Sequence, residues 1–493
     1  MKTKRRLSAS VTVFGAMIFL VVFSLFMTLI KSAYHSATKA RIDSALALAT
    51  ESAFAGYSNE VFNRYGIFVL KDSSSALART KEVLTANMAG SKAGLQGVCF
   101  TDETLMTDNG GEPFYRQAVD YMKSEGVAGY VSDLLSDESR QAENAGRVGD
   151  LAEQIGKTTD TSSSSEKIVE DIGKIMGDTG SGDASGVSST VKRDLNNAAG
   201  REAGGEAKER DAKAEKSFSD AKNLLGTDLT RLVLGTNGRV SGKSMNTSGW
   251  ESNERLVKRE SLSGTSVHTA NDVLFREYLL MTFDNYTESS EGSGSKLDYG
   301  VEYIIAGKLT DRANLEGVMR RLFLIREGMN FTYIVTHGDL KQQAAVFAAA
   351  LFGWTLNPLI IKAAEYGVMA LWAAAESVAD LRNLYGGKKV PLVKDRDSWN
   401  LSLEGVLKGR LNPNDSGGSK GFSYKDYLRI LLLGDTSGRC ARAMDLIEMR
   451  MISLGDTDFR MRNCIFSMGI RGDFQMPFGG QHYVREYDYA YSK

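Results

Sequence analysis

Residues 11–30 read VTVFGAMIFLVVFSLFMTLI, and this uncharged apolar run determines how the rest of the chain can be organised. As an α-helix it would be about 30 Å long at ~1.5 Å per residue, which matches the ~30 Å hydrocarbon thickness of a bilayer. The run therefore predicts a transmembrane anchor in contact with lipid. The tail 1–10 before it is more basic than the residues after it, so the positive-inside rule favours a cytoplasmic N-terminus. The basic residues of the tail are Lys2, Lys4, Arg5 and Arg6.

A cleaved secretory signal is the alternative interpretation of the same run. Signal peptides have apolar regions of about 7–15 residues and end at an Ala-x-Ala-like site. Here the apolar run is longer, and no such site follows it. We therefore expect a retained, single-pass anchor in the cell membrane, with the bulk of the chain on the extracytoplasmic side.

The segment 31–134 is expected to begin the extracytoplasmic part. Ser32–Tyr65 is Ala-rich and free of proline, and its apolar residues recur at helical spacing, so the membrane helix should continue as one long helix to about Tyr65. The short apolar run Ile67–Leu70 (IFVL) then predicts a first strand.

The segment 135–264 has a different composition. Phe218 is its only aromatic residue before Trp250, and it contains Ser-, Gly- and charge-rich stretches such as TSSSSEK and GDTGSGDASGVSST. A segment this poor in apolar residues cannot bury enough surface to offset the entropy of ordering it. It is predicted to be a largely disordered spacer and loop. A nucleic-acid-binding arm is the alternative, but acidic residues balance the basic ones here.

The segment 265–493 is predicted to be an α-rich folded domain with C-terminal strands. One long helix is expected over 311–337 and another from Pro358 to about Tyr385, with Asn357 as its N-cap. A capping box, Ser423 with Asp426, predicts a further helix. Strands are predicted over Val301–Ala306 and in the C-terminal stretches FRMRNCIFSMGI and HYVREYDYAY. The fold class is therefore α+β and helix-rich, with a small antiparallel sheet.

The uncharged stretch 344–361 could be a second membrane span. Gly353, Asn357 and Pro358 interrupt it, and its Ala-rich character favours a buried helical hairpin instead.

No residue of the chain is predicted to be catalytic, to bind a cofactor or to ligate a metal. The net charge of −1 gives no basis for nucleic-acid binding, and three cysteines and four histidines in no recognised spacing predict neither a metal site nor a disulfide framework. The stretch NGRVSGKS (237–244) lacks the Walker A spacing, and GGSKG (417–421) lacks the strand that a nucleophile elbow needs. Trp354, Trp372 and Trp399 are interpreted as packing residues, and no small-molecule ligand is inferred.

Two groups of segments resemble known families. ASVTVF, the Ala-rich helix after it and NRYGIFVL resemble the N-terminal segment of TadE/TadG-like proteins of tight-adherence (Tad) pilus systems. FREYLLMTFDNYTES, VEYIIAGK, NLEGVMRRLFLIREGMNF, AESVADLRNLYGGKKVPLVK and FSYKDYLRILLL resemble an uncharacterised membrane-anchored family found with Tad-type pilus loci in Gram-positive bacteria. Together these resemblances cover 1–70 and about 270–455.

The resemblance implies an accessory role rather than a polymerising one. Type IV prepilins place a glycine before the apolar run and a glutamate five residues into it, whereas Ala9 and Ser10 precede Val11 here and no acidic residue lies within 7–30. The resulting hypothesis is a non-enzymatic structural or assembly protein that contacts other pilus or secretion-system membrane proteins. The alternative is an extracytoplasmic binding or sensing domain, or a surface enzyme acting on the cell wall.

Overall fold

The computed structural model describes most of the N- and C-terminal parts of the chain and portions of its middle. The described residues are 7–71, 73–125, 186–202, 204, 209–236, 238, 240–245, 252–253, 270–289, 296–413, 421–432, 436–478 and 481–491. They divide into two compact units. Unit 1 is built from Met1–Tyr121 and Leu454–Lys493, and unit 2 from Met122–Glu254 and Leu262–Ser453.

The first helix, α1 (Leu7–Phe54), is continuous but has two different surroundings. Every large apolar side chain of 11–30 is exposed, with exposed fractions from 47% at Phe23 to 67% at Val11. Further along the same helix, side chains at helical spacing are buried in the core of unit 1; they are Ile42, Ala45, Leu46, Ala49 and Ala53. The predicted continuation of the apolar helix into a long helix is therefore confirmed, but its predicted end near Tyr65 is wrong. The helix ends at Phe54, the non-helical residues 55–58 include Gly56, which disfavours a helix interior, and a separate helix follows at Asn59–Tyr65.

Two helices within the described residues are long and apolar enough to cross a membrane. The first comprises Val11–Phe54, and its most apolar window is not buried at all. The second is Pro358–Tyr385, whose corresponding window is 72% buried inside unit 2. The second is therefore a core helix, since its apolar surface is already covered by protein.

Unit 1 adds three helices and a three-stranded sheet to α1. They are α2 (Asn59–Tyr65), α3 (Ser73–Met88), β1 (Gly94–Leu105), α4 (Glu112–Ser124), β2 (Ile465–Gln475) and β3 (His482–Ala490). The sheet is antiparallel with the order β1-β2-β3, and Phe100, Ile470 and Tyr487 lie opposite one another across it. The predicted small antiparallel sheet is thus confirmed.

The core of unit 1 lies between α1, α3 and the sheet. Leu46 of α1, Leu84 of α3 and Ile470 of β2 are all fully buried within it. At the far end of α1 the ring of Phe54 contacts Tyr489 at 4.5 Å and Tyr491 at 5.0 Å between centroids. The C-terminal strands therefore share one core with the helices α1 and α3.

Two predictions for this part of the chain differ from the structure. The run Ile67–Leu70 is not a strand, because only Leu70 pairs, in an isolated bridge with Ile465. The C-terminal strands, predicted to belong to the 265–493 domain, complete unit 1 instead. Strand pairing between residues more than 350 positions apart leaves no local pattern in a sequence.

Unit 2 is helical in all its named elements. They are α5 (Gly186–Ala199), α6 (Ala212–Leu225), α7 (Leu229–Leu234), α8 (Ala270–Thr282), α9 (Gly300–Ala306), α10 (Asp311–Thr336), α11 (Gly338–Phe352), α12 (Pro358–Tyr385), α13 (Leu403–Leu407), α14 (Tyr424–Leu431) and α15 (Thr436–Ser453). The central element is α12, which packs against α10, α11, α5 and α7. The predicted helix-rich α+β class is confirmed.

Helix ends in unit 2 form where the sequence predicts them. Asn357 caps α12 by accepting hydrogen bonds from the N–H groups of Leu359 (3.0 Å) and Ile360 (3.3 Å). Ser423 and Asp426 form the expected capping box of α14. The uncharged stretch 344–361 is divided between α11 and α12, which pack together as a hairpin.

Two other predictions for unit 2 are corrected. Val301–Ala306 is helical and not a strand. The prediction failed because Gly300–Ile305 is buried on all sides, so its apolar residues show neither the helical nor the strand period. The segment 135–264, predicted to be largely disordered, contains α5, α6 and α7, which bury residues such as Phe218. The correction applies to these helices alone, because 135–185, 246–251 and 254–264 lie outside the described part of the chain, and the prediction for them stays a prediction.

Substituting a core residue of α1 tests whether this helix stabilises unit 1. Leu46→Ala removes a fully buried side chain, so we expect a loss of about 2–5 kcal/mol in the free energy of unfolding. Leu48→Ala is the matched control, because Leu48 lies on the same helix and is 50% exposed; a change within about 0.5 kcal/mol is expected.

The measurement is hydrogen exchange by mass spectrometry on β2 peptides of the full-length protein at increasing denaturant. This readout is local to unit 1. Equal protection of β2 in the two variants would show that α1 does not contribute to this core.

Candidate functional site

Unit 2 contains a cavity of about 860 Å³ whose wall is formed by tyrosines. Such a volume lies within the ~300–1,000 Å³ range of ligand pockets. The side chains that define it come from the loop after α8, the turn before α9 and the C-terminal end of α12; they are Tyr286, Thr287, Asp298, Tyr299 and Tyr385. A loop containing Gly238, Val240 and Ser241 closes one side.

Aromatic contacts fix the wall of this cavity. The ring of Tyr286 lies edge-on to Tyr299 at 5.4 Å and to Tyr385 at 5.3 Å between centroids. Edge-to-face pairs of this kind are preferred arrangements of aromatic rings and contribute about 0.5–1.5 kcal/mol each beyond burial. The three rings therefore form a pre-organised surface.

A buried carboxyl group lies behind the tyrosines. Oε1 of Glu302 accepts hydrogen bonds from the hydroxyl of Tyr424 and from the backbone N–H of Tyr286, both at 2.8 Å. Tyr424 in turn contacts Tyr385 at 4.8 Å between ring centroids. Removal from water raises the pKa of Glu302 to about 7, so this carboxyl changes protonation state near neutral pH.

The loop 238–245 is tied to the opposite edge of the cavity. The Nζ of Lys243 lies 2.6 Å from Oδ1 of Asp298, and the N–H of Ser241 donates to the hydroxyl of Tyr299 at 3.0 Å. At the N-terminus of α10, Asp311 accepts the N–H groups of Asp298 (2.9 Å) and Tyr299 (3.2 Å). Burial raises the pKa of Asp311 above its usual value.

These contacts involve Lys243 and Ser244 of the stretch 237–244, whose sequence is similar to that of a phosphate-binding loop. Its lysine, Lys243, pairs with Asp298, and its Ser244 forms a bridge with Thr310 ahead of α10. The described residues that line the cavity include no lysine, arginine or histidine, and Asp298 is the only acidic one among them. The cavity therefore suits a neutral polar ligand better than an anion such as phosphate.

A buried ion network holds the helix that supplies Tyr385. Arg326 of α10 donates from Nε to Oδ2 of Asp380 on α12 at 3.0 Å, and from Nη1 to the carbonyl oxygens of Pro391 (2.9 Å) and Leu392 (2.8 Å). Lys394 lies 2.6 Å from the other carboxylate oxygen of Asp380. Burial alone would raise the pKa of Asp380, but Arg326 and Lys394 lower it below its usual value.

The same network is completed by Glu376, which is fully buried. Lys394 forms an ion pair with Glu376, and the backbone N–H groups of Asn400 and Leu401 each donate to this carboxylate at 2.8 Å. Two cations thus neutralise two anions inside the protein. Such networks are costly to break because a lone charge would remain buried.

Another buried carboxylate, that of Asp445, binds residues 252–253 of the predicted spacer. Asp445 of α15 accepts hydrogen bonds from the N–H of Asn253 (2.7 Å) and the hydroxyls of Ser252 (2.6 Å) and Tyr303 (2.8 Å). Burial raises the pKa of Asp445 to about 6.

The three tryptophans interpreted above as packing residues lie in different surroundings. Trp372 is buried, as predicted for a packing residue, and donates to the carbonyl of Leu401 at 2.9 Å. Trp399 stacks on Tyr333 at 5.1 Å and lines a smaller cavity of about 460 Å³. Trp354 is partly exposed beside Arg210.

The structure does not test the remaining nucleophile-elbow-like motif. Residues 417–420 of the GGSKG stretch lie outside the described part of the chain. Within the part that is described, no group of three His, Cys, Asp or Glu side chains could hold a metal ion.

Sequence reasoning did not identify Glu302, Asp445 or the tyrosine wall. A usable signal existed, because Glu302 lies within the apolar run VEYIIA and Asp445 within MDLIEM. Carboxylates are almost never fully buried unless they are paired or hydrogen-bonded. An acidic residue flanked on both sides by core-forming residues therefore indicates a buried polar cluster.

Replacing Glu302 by glutamine tests the protonation of this buried acid. The folded-state pKa is raised, so the stabilising contribution is fully present below about pH 4.5 and is lost as the pH rises through about 7. We expect Glu302→Gln and the wild type to have similar stability at pH 5, and the variant to be more stable at pH 8 by on the order of 3 kcal/mol.

The measurement is urea unfolding at both pH values, followed by the fluorescence of the tryptophans of unit 2. The matched control is Glu316→Gln, which makes the same charge change at a partly exposed position of α10. If Glu302→Gln showed the same pH dependence as the wild type, the carboxyl would not titrate as described.

Comparison with known proteins identifies one family. No curated protein and no solved structure matches the chain. A family model described as a family of unknown function (DUF5702) matches residues 207–476, which include the tyrosine cavity, the buried ion network and β2. Because this match covers more than half of the sequence, the chain belongs to the DUF5702 family of unknown function.

Proposed function

We propose that this protein is a single-pass, membrane-anchored cell-surface protein with a structural or assembly role. The observation that supports the proposal is the continuity of α1, whose exposed apolar part 11–30 leads directly into residues buried in the core of unit 1. The anchor and the first folded unit share one helix. We infer that α1 transmits force on the anchor to unit 1 and fixes the position of unit 1 at the membrane, without a flexible joint.

The orientation belongs to the same proposal. The short basic tail lies in the cytoplasm, and units 1 and 2 are extracytoplasmic. The assembly in question is a Tad-type pilus or secretion apparatus, to which the chain contributes as an accessory component through protein–protein contacts. This part rests on the resemblance of the N-terminal segment and of 270–455 to proteins of such systems.

A second candidate function is the binding of an extracytoplasmic ligand, and the tyrosine cavity favours it. Three tyrosine rings and a polar lining whose only acidic described residue, Asp298, is paired with Lys243 suit a neutral ring-containing molecule such as a sugar unit of a surface glycan. Binding of a cell-wall glycan fragment that Tyr286→Ala abolishes would favour this function. Cleavage of the fragment by the protein would instead favour a surface enzyme.

The native cysteines provide a test of the orientation. Cys99 on β1 is exposed, whereas Cys440 and Cys464 are buried. A membrane-impermeant maleimide should therefore label the protein on intact cells at one position, and Cys99→Ser should abolish the labelling. Labelling that requires permeabilised cells would contradict the extracytoplasmic placement.

Photocrosslinking in living cells tests the assembly role. A benzophenone amino acid at Val484 of β3 (44% exposed) or at Val393 of unit 2 (62% exposed) should capture components of a pilus or secretion apparatus, identified by mass spectrometry. The same amino acid at the buried Phe275 is the control and should capture no other protein. Adducts at both exposed positions that contain no such component would contradict the assembly role.

A further inference from the structure

The loop that joins β2 and β3 places an aromatic side chain beside the membrane end of α1. The backbone N–H of Met476 donates to the carbonyl of Gln481 at 2.8 Å and closes the loop. Within it, Phe478 is 54% exposed and has a φ of 60°. A left-handed backbone conformation is uncommon for a bulky residue such as phenylalanine. Two glycines follow Phe478 directly in the sequence MPFGG.

The position of Phe478 along α1 is fixed by one contact. Its ring lies edge-on to Tyr34 at 5.4 Å between centroids. Tyr34 is also the first partly buried residue of α1 after the apolar run. The folded part of unit 1 therefore begins at the level of Tyr34 and Phe478.

The distance from the hydrocarbon edge can be derived from helix geometry. Tyr34 follows Ile30 by four residues, which corresponds to about 6 Å of helix at ~1.5 Å per residue. The polar interfacial layer on each side of a bilayer is about 5–8 Å thick. When 11–30 spans the hydrocarbon, Tyr34 and Phe478 therefore lie inside the interfacial layer, not above it.

The charges around this level suit a lipid surface. The Nζ of Lys92 lies 5.4 Å from the centre of the Phe478 ring, and that of Lys39 lies 5.2 Å from the ring of Tyr483 on β3. Lys31 directly follows the apolar run and is exposed. Aromatic rings with lysines beside them are the usual composition of a protein surface at the headgroups, where the rings enter the interface and the ammonium groups meet phosphate.

We propose that Phe478, which follows β2, makes a second membrane contact by inserting into the extracytoplasmic headgroup layer beside α1. The occupant of this surface is the lipid bilayer itself. With α1 alone, unit 1 could rotate and tilt about a single axis. The additional contact fixes one face of unit 1 against the membrane. This inference rests on the proposed anchoring by α1 and adds a contact that the anchor does not require.

The test uses the full-length protein in vesicles of phosphatidylethanolamine and phosphatidylglycerol, with p-benzoylphenylalanine in place of single residues. At position 478 the aromatic probe should form lipid adducts on irradiation, detected by intact-protein mass spectrometry. Position 454 is the matched negative control, because Leu454 is 48% exposed in unit 1. It lies close to Asp456, which pairs with Lys71 next to the Leu70–Ile465 bridge, at the end of β2 opposite to Phe478. We expect at least a fivefold higher lipid yield at 478 than at 454.

A probe at position 19 tests the α1 anchor separately from the second membrane contact. Phe19 lies in the apolar run and is 67% exposed, so a probe there should capture lipid whenever α1 is inserted. Lipid adducts at 19 but not at 478 would overturn the second membrane contact and leave the anchor intact. Absence of adducts at both 19 and 478 would contradict the anchor itself. Adducts of 478 with protein alone would also overturn the inference, since the surface would then bind protein and not lipid.

Discussion

The exposed apolar surface at the start of α1 is the constraint on which the rest of the structure depends. Fifteen large apolar side chains between Val11 and Ile30 lie about half to two-thirds exposed. At roughly 1.5–3 kcal/mol for the complete burial of each such side chain, leaving this exposed fraction in water would cost on the order of 10–30 kcal/mol relative to burying it. A bilayer removes this cost, and the same helix then has to enter the folded body directly.

Unit 1 accommodates this constraint by building its core around the second half of α1. The C-terminal strands cover the helix, so residues at both ends of the chain complete one unit. In unit 2 the central element is a different apolar helix, α12, whose surface is covered by protein. The buried pairs of Arg326 and Lys394 with Asp380 and Glu376 fix this helix at one register, and Tyr385 near its end joins the wall of the cavity.

Local patterns in the sequence predict those features that depend on neighbouring residues. The uncharged run, the helical spacing after it, the Asn357 cap and the capping box at Ser423 each appear in the structure where they are expected. Periodicity was not informative for Val301–Ala306, because a segment buried on every side is apolar at every position. Composition was misleading for α5, α6 and α7, which are poor in aromatic residues but bury small and aliphatic ones against α12.

The candidate site could not be predicted in the same way. Tyr286, Tyr299 and Tyr385 come from three separate elements, and only tertiary packing brings the ring centroids of Tyr299 and Tyr385 within 5.5 Å of that of Tyr286. The protonation of Glu302 near neutral pH likewise depends on its burial and not on its sequence neighbours. The sequence nevertheless shows Glu302 and Asp445 as acidic residues inside apolar runs, and a buried hydrogen-bonded cluster forms around each of them.

Amide hydrogen exchange along α1 in lipid nanodiscs tests the central claim most directly. If one continuous helix joins the bilayer to the core of unit 1, amides should be protected without interruption from the apolar run through 31–41 to Phe54. A rapidly exchanging stretch at 31–41 between two protected segments would contradict the account, because the anchor and the folded unit would then be joined by a flexible linker.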